Sequence, residues 1–243
     1  YGDHRDLHKE YRRQRQMCIR DRLRIIVSIL PIDTGRYGTK EMLDIFKEQK
    51  KIDYQLDIEA AAVLSQSEIG LIPTSIAKDI SKIAKSGKIT AKRIKQLEAK
   101  SDHDTAALVE ALAEKCNKES RPWIHYGLTS NDLVDTSNSM QMRDAIKIIQ
   151  PKVSKLSLLL SKNAIKHRGI PAVGRTHGQH ASIISFGLKF ANWAAEMSTH
   201  LERLDEIKKR VLICKTMGVV GTGSLMGKNA IKVQERVAKK LGL

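Results

Sequence analysis

The run Phe186-Gly-Leu-Lys-Phe-Ala-Asn-Trp-Ala-Ala-Glu-Met-Ser-Thr-His-Leu-Glu-Arg-Leu-Asp-Glu-Ile-Lys-Lys-Arg-Val211 places apolar residues at Phe186, Phe190, Trp193, Met197, Leu201, Leu204, Ile207 and Val211. Steps of three and four are the period of an amphipathic helix, and Glu202, Arg203, Lys208 and Lys209 fall off the stripe. At ~1.5 Å per residue the run predicts a rod of about 40 Å. A rod of that length cannot hide its stripe within one small domain. It needs partner helices, either from the same chain or across a subunit interface.

Working outward, the chain is helical on both sides. Upstream, residues His167 to Ala181 are Gly-rich and non-periodic, and are expected to form a loop. Pro151 is expected to start a helix running toward Lys166, after a separate helix from about Asn131 to Ile149. Arg121-Pro122 breaks the pattern, and Trp123 to Ser130 reads as a loop. Earlier still, Met42, Ile45, Phe46, Ile52, Leu56, Ala60, Val63 and Leu64 follow a helical period that Gly70 stops. Pro73 opens a helix to Ser86-Gly87, Thr90 is placed to cap another ending near Lys100, and Ser101 or Asp102 to cap a fourth. Downstream, a last helix is expected from about Asn229 to Lys240. No Val/Ile/Thr alternation of any length occurs, so no sheet is expected. The predicted fold is all-α: a small N-terminal helical domain over residues 23–120, then the first part of a long-helix bundle over 121–243. Residues 1–22 are polar, Arg-rich and aperiodic. They read as an assembly artefact, with the authentic chain starting near Val27, or as a disordered basic arm.

Composition narrows the class. Hydrophobic residues at 41% with 29% charged residues suit a soluble globular protein, and 4% aromatic content suits helices over sheets. The net charge of +16 comes from 43 basic and 27 acidic residues. Lys78, Lys82, Lys85 and Lys88 lie along a helical stretch without interleaved aromatics. That is the pattern of a solvated face, favourable to an anionic substrate, and it offers no groove-reading motif for nucleic acid. Cys18, Cys116 and Cys214 form no Cys-x-x-Cys pair, which argues against a zinc site or disulfide framework and fits a reducing cytoplasm. No apolar run reaches membrane-spanning length.

Three polar segments are left unexplained by packing. Asp33-Thr-Gly-Arg-Tyr-Gly38 offers the planar fork of Arg36 to phosphate or carboxylate. Ser101-Asp-His-Asp-Thr105 sets His103 at a helix start between Asp102 and Asp104, carboxylates able to orient it, and Thr129-Ser-Asn-Asp132 sets two hydroxyls at another helix start. Ordinary N-capping explains these residues equally well. Gly174-Arg-Thr-His-Gly-Gln-His180 holds His177 in a Gly-flanked segment suited to proton exchange. His177 and His180 are also candidate metal ligands, although no Cys or carboxylate lies near them in sequence.

Taken together and in order, Gly-Arg-Tyr-Gly, Ser-Asp-His-Asp, the run His125-Tyr-Gly-Leu-Thr-Ser-Asn-Asp-Leu-Val-Asp-Thr136, and Gly-Arg-Thr-His-Gly-Gln-His-Ala181 resemble the adenylosuccinate lyases of the fumarase/aspartase superfamily. Gly218-Val-Val-Gly-Thr222 is similar to that family's Gly-Ala-Val-Gly-Thr segment. The resemblance covers roughly Ile29 to Leu243. It implies β-elimination of fumarate from adenylosuccinate and from the succinyl-carboxamide ribotide, without cofactor or metal, by a cytoplasmic homotetramer joined through long central helices. It implies His177 as general acid, with Arg36 and Tyr37 binding nucleotide. Asp102, His103 and Asp104 become a second substrate-contact segment, in which His103 holds phosphate or assists the acid, and Thr129 and Ser130 grip the succinyl portion. The family's Gly-Ser-Ser loop, bearing the base serine, and a substrate-binding Gln are expected beyond residue 243. Gly223-Ser-Leu-Met-Gly-Lys228 resembles that loop only superficially and reads as a turn. The 243 residues alone are therefore expected to be inactive and prone to associate. Alternatives are another fumarate-releasing lyase, a lactonising enzyme of the same superfamily, and a scaffold that keeps the fold without the chemistry.

Overall fold

The computed structural model describes residues 37–243, so Arg36, Cys18 and the 1–22 segment lie outside the described residues. The chain divides into compact units at 1–43 and 44–243. Of the first, the described part holds Tyr37, which is 70% exposed, and the start of helix α1 (Lys40–Phe46).

The second unit is built on helix α2 (Glu48–Glu68). Its buried residues include Tyr54, Ile58, Ala60, Ala61, Ala62 and Gln66, which lie all round the helix rather than on one stripe. The three small alanines let neighbours approach closely. Helix α3 (Thr74–Ala84) packs on α2 after the turn at Gly70–Pro73. Helices α4 (Ala91–Ser101) and α5 (Asp104–Ala113) pack on each other, burying Ile94, Leu97, Leu108 and Leu112. Thr90 caps α4 as expected, its side chain accepting from the Arg93 N–H. The cap of α5 differs from expectation: it is His103, whose Nδ1 accepts from the Ala106 N–H at 3.2 Å. Asp102 instead closes α4 in the left-handed region, at φ 53°.

Helix α6 (Ser130–Lys166) is one element, not two. Pro151 lies inside it, where the sequence predicts a break. Proline deletes the bond to the carbonyl four residues back, but the neighbouring residue is tied to a second helix, α7 (Phe186–Val211). Gln150 donates to Asp205 at 3.1 Å and accepts from Lys208 at 2.5 Å. Packing along α7 therefore holds both halves of α6 in register. At ~1.5 Å per residue α6 runs about 55 Å and α7 about 40 Å.

Between them lies a second departure. Residues expected to form a loop make an antiparallel hairpin of β1 (Pro171–Thr176) and β2 (Gln179–Ser185). Its two-residue turn is His177-Gly178, at φ 51° and 71°. Positive φ at both central residues is the geometry that matches strand twist, Gly178 accepts it freely, and His tolerates it better than most side chains. The strands carry too few apolar residues for alternation to show. Helix α8 (Ala230–Leu241) then packs back on α2 through Val233 and Val237, after a short 3-10 turn over Ser224–Asn229 that agrees with the turn expected there. Among the described residues no helix is long and apolar enough to cross a membrane.

Candidate active site

Two helix N-termini converge on a cavity of about 380 Å³. His103, Thr105 and Ala106 come from the start of α5, Thr129 and Ser130 from the start of α6, and His125 and Val219 from loops. The N-terminal end of a helix carries partial positive charge and unpaired N–H groups. At α5 those groups are occupied: Thr105 N–H donates to Asp104 and Ala106 N–H to His103. At α6 no protein group among the described residues takes the Ser130 or Asn131 N–H. The arrangement suits an anion that meets two dipole ends, two hydroxyls and two imidazoles.

His125, which the motif reading passed over, is the most constrained of these groups. Its Nδ1 lies 2.6 Å from Glu59 Oε1, and its backbone N–H donates to Glu59 Oε2 at 3.0 Å. Glu59 projects from α2 and is 2% exposed. Burial alone would lower the pKa of His125, but the hydrogen bond and charge of Glu59, with the charge of Asp132, raise it overall. The ring thus keeps its positive charge to higher pH than a free imidazole. The sequence did carry a signal: Glu59 is a lone carboxylate in Ile58-Glu-Ala-Ala-Ala-Val63, and a charge on so apolar a stretch requires a buried partner.

Asp132 organises the rim. Fully buried, it accepts from Thr129 N–H at 3.0 Å in a capping box, and from Gly218 N–H at 2.9 Å. One turn later the Thr136 hydroxyl accepts from Lys215 N–H and donates to Lys215 O. These two side chains fasten the 215–218 strand of chain to the start of α6 and bring Val219 to the cavity.

The structure therefore brings together His103, Thr129 and Ser130. Asp102 and Asp104 adjoin the cavity in sequence, but neither lines it, and both are exposed. The His103 ring is held as the α5 cap, with Nδ1 accepting from Ala106 N–H, and Nδ1 also stands 3.7 Å from Asp104, an ion-pair distance rather than a hydrogen bond. His177 sits at the exposed hairpin tip, outside the cavity wall of its own chain. His180, across the hairpin, is 3.2 Å from the Arg175 guanidinium.

A family model described as a lyase matches residues 35–243. The chain belongs to the lyase family. Within it, the adenylosuccinate lyase of Methanocaldococcus jannaschii is 43% identical over 217 residues, which are 89% of this lyase chain and 47% of that protein. Among solved structures, the fumarate lyase from Mesorhizobium sp. BNC1 matches with TM-score 0.78 and 31% identity, over 83% of this chain and 48% of that one. The 3-carboxy-cis,cis-muconate lactonizing enzyme from Pseudomonas putida matches with TM-score 0.80 and 30% identity, over 86% and 48%. This lyase chain thus spans about half the length of the relatives it matches.

Proposed function

We propose that the chain is the N-terminal part of an adenylosuccinate lyase of the fumarase/aspartase superfamily. The observation that carries this reading is the cavity between the starts of α5 and α6, where the segments of His103 and of His125 to Ser130, two of those resembling that family, meet with Val219 of a third in a site suited to an anion. Its substrates, adenylosuccinate and the succinyl-carboxamide ribotide, carry phosphate and two carboxylates. Thr129 and Ser130 grip the succinyl carboxylates, and His103 and His125 hold anionic oxygens. Arg36 and Tyr37 hold the nucleotide, while Asp102 and Asp104 contribute contacts beside it.

In the reaction a base takes the proton beside a carboxylate. The electron pair forms the new C=C bond as the C–N bond breaks. His177 then protonates the departing nitrogen, leaving fumarate and the nucleotide product. Histidine suits that step because its ordinary pKa of about 6.5 lets it donate and recover a proton near neutrality. A base serine comes from sequence past residue 243. No cofactor or metal enters this scheme.

The exposed position of His177 bears on the architecture. A hairpin tip that is exposed and outside its own chain's cavity serves a neighbour's, and α6 and α7 form the arm that carries it. Trp193, Leu188 and Ile207 on α7, with Leu158, Leu159 and Ile165 on α6, are all exposed. A homotetramer joined through these long helices would bury that surface and complete each site from several chains. Residues 23–120 would then be the N-terminal helical domain and 121–243 the start of the bundle, in an enzyme of the reducing cytoplasm.

The test is fumarate release by the full-length gene product with adenylosuccinate, for wild type and His177→Ala. Loss of a general acid lowers kcat by about 10²–10⁴-fold, with little change in KM. A His177→Ala enzyme with unaltered kcat would defeat the assignment. The 0.80 TM-score to the lactonizing enzyme favours a second reading, a lactonising or other lyase on the same frame. An active wild type that ignores adenylosuccinate would select it.

A further inference from the structure

We infer that Glu59 is the positioning residue of the cavity, holding the main chain and ring of His125 so that Nε2 is presented to the bound anion. The inference deepens the reading of the cavity as an active site and rests on it.

Both oxygens of Glu59 are committed to one residue. Oε2 takes the backbone N–H of His125 at 3.0 Å and Oε1 meets ring Nδ1 at 2.6 Å. His125 has φ 62°, in the left-handed region that non-glycine residues avoid. Chain geometry of that kind persists only where surroundings impose it, and here the anchor is a carboxylate on a different helix, 66 positions away in sequence. With Nδ1 bound to Glu59, the remaining ring nitrogen is Nε2, and the ring lines the cavity beside Thr129 and Ser130.

The charges around the ring are few. Glu59 approaches from α2 and Asp132 from α6, while His103 lines the same cavity from α5. Asp132 Oδ2 accepts from the Thr129 and Gly218 N–H groups, and Oδ1 from the Met217 N–H at 3.4 Å. Glu59 is therefore the partner that keeps Nδ1 protonated. The doubly protonated ring donates from Nε2 to a phosphate or carboxylate oxygen. The singly protonated ring, with its proton at Nδ1, offers Nε2 only as an acceptor and repels that oxygen. An anion's affinity should consequently persist to higher pH in the wild type than in a chain whose residue 59 is uncharged.

The experiment uses the full-length protein, with sulfate as a probe whose charge is constant from about pH 6 to about pH 9. Its Kd is measured by calorimetry across that range for wild type and Glu59→Gln, alongside kcat/KM for adenylosuccinate. In Glu59→Gln, the pH at which sulfate affinity falls should move down, with a severalfold weaker Kd than wild type at about pH 8 and near wild-type binding at about pH 6. A profile parallel to wild type, or a uniform loss at every pH, overturns the inference. If Glu59→Gln fails to fold, His125→Asn supplies the reading. Its sulfate affinity should be weaker and should lose the part of the pH dependence that His125 supplies, leaving that of His103, and retention of the full wild-type pH dependence overturns the inference. A wild type inert toward adenylosuccinate, with the sulfate profile shifted as stated, would sink the proposed function while leaving Glu59 in its role.

Discussion

Tyr54 and Asp144 show how single residues tie the second unit together. Tyr54 on α2 is 2% exposed and donates its hydroxyl to Asp144 on α6 at 2.7 Å. Burial would push the Asp144 carboxyl up, but hydrogen bonds from Arg143, Tyr54 and Lys147 more than offset it and bring it down to about 2. Burial, followed by the bond to Asp144, holds the Tyr54 phenol well above its ordinary value. Tyr54→Phe removes a hydrogen bond to a charged acceptor and should cost about 1.5–3 kcal/mol, read as a lower thermal midpoint at neutral pH. The sign with pH follows from the depressed carboxyl. Its contribution is complete above the ordinary value of 3.8 and is lost as pH falls toward about 2. The gap between wild type and Tyr54→Phe should therefore hold down to about pH 4 and narrow below it; a gap that widens in acid would contradict the assignment. At this scale the sequence was readable where chemistry is local. Thr90 and Thr129 cap the helices that follow them because a hydroxyl before an apolar period has one obvious use. The pairing of Glu59 with His125 joins a helix to a loop 66 positions on, and spacing along the chain does not encode it.

Among elements, the legible features were periods and the illegible ones were interruptions. The stripe from Phe186 to Val211 marks α7 because the period persists over the whole helix. Pro151 misleads because proline's local cost, about 3 kcal/mol, is outweighed by packing that a one-dimensional pattern does not contain. The hairpin from Pro171 to Ser185 reads as a loop in the sequence because its alternation rests on few apolar residues. Its signal is instead the His-Gly pair at the turn. Where α7 begins, Gly187 is its one buried residue. A Cβ there would stand 2.4 Å from the Ala164 carbonyl oxygen and 2.9 Å from the Arg168 N. The start of α7 can approach the end of α6 only because that position lacks a side chain. Gly187→Ala should force the helices apart, at a cost of about 1–3 kcal/mol, and loosen the edge-on stack of Phe186, Phe190 and Trp193 beside His167. The expected readout is a lower thermal midpoint with altered Trp193 fluorescence, and a midpoint equal to wild type would contradict this account of the close approach.

For the molecule as a whole, buried side chains concentrate in residues 45–146 and 226–241, while the arm formed by α7 and the second half of α6 buries almost nothing. The first region is a core complete enough to hold a cavity with fixed walls. The arm is a helical pair with its apolar surface uncovered, and helices of this length gain their stability from burying such a face. This contrast was foreseeable from the length of the stripe alone. The identity of the cavity walls was foreseeable from the motifs only in part, because His103, Thr129 and Ser130 meet in one chain whereas His177 does not. Separation of His177, the proposed general acid, from the cavity within one chain leads to the central claim, that this residue is contributed by a neighbour.

Mixing two damaged full-length enzymes tests that claim most directly. His177→Ala retains an intact cavity without its acid, and Thr129→Ala retains the acid with a damaged cavity. If each site joins one chain's cavity to another chain's hairpin, co-refolding the two variants creates some sites with neither lesion. Fumarate release should then rise well above that of either parent. A mixture that assembles into mixed oligomers yet stays as inactive as its parents would contradict the account.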